Sequence, residues 1–98
     1  MNRKVLNYDN SLIRLKELKI SLNKENQEKL DEVLGKMPKS LSENSKKVIS
    51  EYTNRLIESI GFFKKLYKNE NEINDLNGVI KEVIISFRHN VKHSLSKK

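Results

Sequence analysis

The chain has 98 residues, a formal net charge of +7, 36% hydrophobic and 34% charged residues, and no cysteine. A chain of this length is expected to form one domain that hides only roughly 60 to 70% of its unfolded surface on folding. The missing cysteine excludes disulfides, thiolate catalysis and Cys-ligated zinc.

No stretch approaches the ~20 apolar residues needed to span a bilayer, and MNRKVLNYDN lacks the apolar run of a signal peptide, so the expected location is the cytoplasm. With no Ala and no Trp, the core must be built from Leu, Ile, Val and three Phe. The positive excess favours acidic partners, but its spread argues first for solubility. Residues from Lys24 to Leu34 are acidic on balance, and Arg88, Lys92, Lys97 and Lys98 form a C-terminal run with no acid among them.

Residues 1–8 read as a frayed lead-in, with Asp9, Asn10 and Ser11 as candidate N-caps. Leu12, Leu15, Leu18 and Leu22 give a first helix ending near Leu22, with Ile13 and Ile20 at the edges of a narrow apolar face. Asn23 can cap a second helix whose stripe is Leu30, Val33, Leu34 and Met37. Gly35, through a left-handed exit, and Pro38, which lacks an amide, close it.

Ser42 is the expected cap of the longest helical pattern, which runs to about Lys68 with Ile49, Tyr52, Leu56, Ile60, Phe63 and Tyr67 on one stripe. Val48, Ile57, Phe62 and Leu66 widen that stripe, which calls for cover on more than one side. Asn71 is the expected cap of a fourth helix carrying Ile73, Leu76, Ile80, Val83, Ile84, Phe87 and Val91, with Val79 and Ile85 beside them. Gly78 inside it suggests close packing against a neighbour. Four acid-to-base pairs at i,i+4 (Glu25 with Lys29, Glu32 with Lys36, Glu43 with Lys47, Glu51 with Arg55) support the second and third helices. The expected fold is all-α, an antiparallel four-helix bundle in up-down-up-down order over one domain, 1–98, with 94–98 frayed. Short connections make consecutive helices neighbours. The wide apolar face of the last two leaves room for a homodimer.

Glycine-rich phosphate loops, HExxH and GxSxG patterns are missing. Arg88 and His93, with the polar His89 directly after the arginine, resemble the motif of HEPN-domain ribonucleases. That resemblance implies Arg and His from two protomers converging to cleave RNA without metal, which makes Arg88 and His93 the alternative catalytic pair. Imidazole moves protons near neutrality and guanidinium holds phosphate. His89 and His93 at i,i+4 have the spacing of two zinc ligands, but no third ligand is evident, so the expectation is no metal and no cofactor. At the electronegative end of a helix these cations are favourably placed in any case. Phe62, Lys65 and Tyr67 form a candidate stacking group for a nucleic acid.

The element order, the segment Asn54–Ile60 and the basic tail resemble the immunity proteins of pediocin-like bacteriocins over roughly residues 11–90. That resemblance implies a non-catalytic protein that recognises, from the cytoplasm, a bacteriocin-bound membrane receptor of the mannose phosphotransferase type. The expected contact is helix four and the tail from Ile84 to Lys98, with Arg88, His89, Lys92, His93, Lys97 and Lys98 as the residues that meet a protein target. A small nucleic-acid-binding protein is the remaining alternative.

Overall fold

Four helices, α1 (Tyr8–Lys19), α2 (Lys24–Gly35), α3 (Glu43–Leu66) and α4 (Ile73–Leu95), make up the chain in a computed structural model that describes residues 8–96. Among the described residues there is no strand, and the β-branched run Val83–Ile85 is helical because its alternating companions pack as a helix face.

Local chemistry explains most helix ends. The Asn23 side chain accepts from the Asn26 amide at 3.1 Å, and the Ser42 hydroxyl accepts from the Ser45 amide at 3.1 Å, so both expected caps are in place. Three expectations are corrected. Asp9, Asn10 and Ser11 lie inside α1, which already includes Tyr8, and not at its cap; Ser11 is buried and donates to Asn54 Oδ1 at 3.3 Å. Gly35 makes no left-handed exit, since no described glycine has positive φ. The helix instead tightens, with the Lys36 amide donating to Val33 O at 3.2 Å. The start before α4 belongs to Asn69, not Asn71: its amide donates to Glu72 Oε1 at 3.4 Å across a short 3-10 turn at Glu70–Glu72 that runs into α4.

Leu15, Leu30, Ile49, Ile60, Ile80 and Ile84 are sealed from solvent and, with Leu22, Val33, Leu56, Phe87 and Val91, form one core cluster. Every helix therefore contributes to the same interior. Phe62 and Leu66, expected to widen the α3 stripe, stay 60% and 59% exposed, so that face has no neighbour among the described residues. Gly78 lies in open space, with no atom within 4 Å of where a Cβ would stand, so close packing is not its reason.

α3 packs on α4, α1 on α3 and α2 on α4, while α1 and α2 touch only lightly. α2 and α3, consecutive in sequence, make no contact. The expectation that short connections make every consecutive pair neighbours fails here. Residues 36–42, with Met37 and Leu41 packed against the core, carry the chain from one corner of the bundle to the opposite one.

Cross-helix pairs fix the registers. Lys46 Nζ sits 5.9 Å from the Tyr8 ring, Ser11 and Arg14 reach Asn54, and Lys64 donates to Ser21 Oγ at 2.6 Å, so numbers rise together along α1 and α3. Between α2 and α4, Glu25 pairs with Lys81 at 3.2 Å and Glu32 with Arg88 at 3.5 Å, and the buried Asn26 donates to Asn77 O at 3.2 Å. A seven-residue step is two helical turns, so both ion pairs fall on one edge. Lys19 also pairs with Asp31. None of the four expected i,i+4 pairs closes; Glu25 and Glu32 are drawn across to α4 instead.

Candidate binding surface

The C-terminal half of α4 buries Ile84, Phe87 and Val91 and therefore turns Arg88, His89, Lys92 and His93 outward, all four exposed. Their placement near the end of a 23-residue helix puts positive charge where the backbone carbonyls face solvent. Lys97 and Lys98 lie outside the described residues.

Arg88 differs from the other three. Its guanidinium reaches Glu32 of α2, with about half of each side chain still exposed, a geometry that orients the arginine but contributes little stability. His93 lies on the other flank, lining a cleft with Ser42, Ser45, Val48 and Tyr52 of the α3 side. Five helical residues separate the two by about 140° around the axis. One protomer thus directs Arg88 and His93 to different neighbours and does not bring them together over a common substrate position.

His89 and His93 share an exposed edge, and among the described residues no group of three His, Asp or Glu side chains is arranged to hold a metal ion. On α3, Phe62 is exposed and meets the half-buried Phe63 edge-on, with ring centroids 5.4 Å apart, while Tyr67 is tilted against Phe63 on its inner side. The expected stacking group of Phe62, Lys65 and Tyr67 is therefore not one flat platform, since Tyr67 belongs to the half-buried side. At the opposite end, the Tyr8 phenol is pushed above its ordinary pKa, first by burial and then by the negative charge of Asp9.

No protein-family model, curated protein or solved structure matches this chain.

Sequence reasoning missed the acids that order this surface. Glu25 and Glu32 share their seven-residue spacing with Lys81 and Arg88, a signal readable in the sequence once α2 and α4 are known to be neighbours. It also missed a second feature. The clefts between α3 and α4 are lined by Tyr52, Arg55, Ser59, Glu82, Ser86 and Asn90, with no residue from α1 or α2.

Proposed function

We propose that this chain is a non-catalytic binding protein, in its most concrete form a cytoplasmic immunity or inhibitor protein of the bacteriocin immunity type. Its target is a protein, and the contact is made by Arg88, His89, Lys92, His93 and the tail residues Lys97 and Lys98. The observation that supports this reading is the outward strip on α4, which carries His89, Lys92 and His93 beside Arg88, and among the described residues Arg88 alone of the four is tied to an acid.

Such a strip rests on a sealed apolar face, so an acidic partner surface meets side chains whose backbone is already fixed. Rim charges of this kind raise association rate and select partners more than they add affinity. The matching registers of α1 with α3 and α2 with α4 support helices that alternate in direction along the chain, up-down-up-down. In that arrangement the α4 end and the 36–42 connection share one end of the bundle.

Expression in a bacteriocin-sensitive strain tests the narrow claim. Survival of treated cells that is lost in a Lys92→Glu, His93→Glu double variant of unchanged helix content is the expected result. Killing that proceeds as in the empty strain, across the pediocin-like toxins, refutes the immunity reading.

A further inference from the structure

Among the described residues, one long face of the molecule has no cover. α1 packs on α3 and α2 on α4, so no third described helix lies over the outer side of the α3/α4 pair, and among the described residues its surface clefts are lined by those two helices apart from the turn before α3. Tyr52 belongs to both clefts, which makes them one continuous seam. Along α3 the seam continues through Arg55 and Ser59 to Phe62 at steps of four and three residues, which is one helical stripe. Phe62 is 60% exposed there.

We propose that this seam is the interface of a two-fold dimer, covered by the same seam of a second copy, with Arg55 of each protomer meeting Glu82 of the other. Charge selects this occupant. Each chain carries +7, so two copies repel unless they meet on a face with no net charge. Arg55 on the α3 wall and Glu82 on the α4 wall face the same groove and cancel, and neither makes an ion pair within the described residues of the protomer. An acidic partner would be met by a cationic groove, as on the opposite flank of α4.

The symmetry is specific. Ser42 and Ser45 lie beside His93 and Ser94, and Arg55 and Ser59 lie beside Glu82 and Ser86, so α3 and α4 run in opposite directions along the seam. A two-fold axis running along the groove lays each α3 over the partner's α4 at the same level. Both Arg55–Glu82 contacts then form at once, as an isologous interface requires. The 24 residues of α3 are about 36 Å long, and a strip two helices wide is about 20 Å across. That gives on the order of 700 Å² per protomer, close to the roughly 800 Å² of a standard specific interface. Arg88, His89 and Lys92 lie outside this seam and stay exposed in two copies, whereas His93 lines the seam and its share of the target contact is made at the dimer's edge.

Sedimentation equilibrium of the full chain, from micromolar to about 100 µM at physiological salt, measures the mass. The expected value is twice the 11.5 kDa of one chain. Arg55→Glu and Glu82→Arg should each weaken association at least about tenfold, and the double swap should recover it, since the exchanged charges again meet. Ser86→Arg, at an exposed position, should block the seam by bulk while far-UV circular dichroism stays unchanged. A wild-type chain that is monomeric at about 100 µM overturns the proposal and leaves the seam to a different protein. So does a dimer that survives both single reversals and Ser86→Arg.

Discussion

Replacing Gly78 by Ala should stabilise this protein. Glycine in a helix interior is less favourable than alanine by about 0.5–1 kcal/mol, because its backbone loses more freedom on folding. That gain is realised only where the added methyl meets nothing and φ is helical. Both conditions hold: nothing lies within 4 Å of the Cβ position at Gly78, and no described glycine has positive φ. For a domain of this size each kcal/mol moves Tm by roughly 4–8 °C, so Gly78→Ala should raise Tm by about 2–8 °C. Gly61 on α3 is equally unobstructed, and the two sites share no partner, so the double variant should gain about 1–2 kcal/mol. Thermal melts followed by circular dichroism, with urea titrations to confirm an unchanged slope, measure it. A lower Tm for Gly78→Ala would refute the reasoning, because it would mean that a neighbouring element occupies the space beside α4.

Further outcomes follow from the same packing. Leu15→Ala, at a fully buried site, should cost about 2–5 kcal/mol in urea unfolding, whereas Ile20→Ala, 75% exposed, should stay within about 0.5 kcal/mol. Asn23→Ala and Ser42→Ala should each lose about 0.5–2 kcal/mol of stability by removing a cap, while Asn71→Ala, which caps nothing, should leave the melting curve in place. Glu32→Gln should cost under about 1 kcal/mol at low salt, and the difference should vanish near 1 M salt, where charges are screened over about 3 Å. For Tyr8, whose pKa is raised above 10.0, the folded chain keeps its phenolic proton after the unfolded chain has lost it, so the associated stability is intact below that pH and falls as pH rises through it. Tyr8→Phe should flatten that alkaline decline in a series of urea midpoints.

Three- and four-residue spacing was enough to place Leu15, Leu30, Ile49, Leu56, Ile60, Ile80, Ile84 and Phe87 in the interior, and short polar side chains marked Asn23 and Ser42 as caps. Periodicity identifies the direction a residue faces along its own helix but not how many neighbours cover that direction. Phe62, Leu66 and Ile73 therefore read as core and stand exposed, and Gly78 suggested a close approach where there is open space. Pairings between helices were illegible for a related reason. Glu25 and Glu32 have suitable lysines four residues on, and a cross-helix partner 56 residues away wins only because the fold sets α2 beside α4. On the candidate surface, the exposure of His89, Lys92 and His93 could be read from the apolar residues between them. The tie from Arg88 to Glu32, which sends Arg88 away from His93, could not.

The corner-to-corner run of residues 36–42 divides the molecule into two helix pairs packed one on the other, α1 upon α3 and α2 upon α4. Lys39 and Ser40, at the middle of that run, are exposed and make no hydrogen bond or ion pair among the described residues. Cohesion between the halves therefore resides in side chains such as Leu15, Ile49, Leu30 and Ile84, joined by Met37 and Leu41 of the run itself, and the peptide bonds around Lys39 and Ser40 act mainly as a tether that sets a local concentration in the millimolar range. Cleaved at Lys39, the halves meet less often but grip one another through the same surfaces.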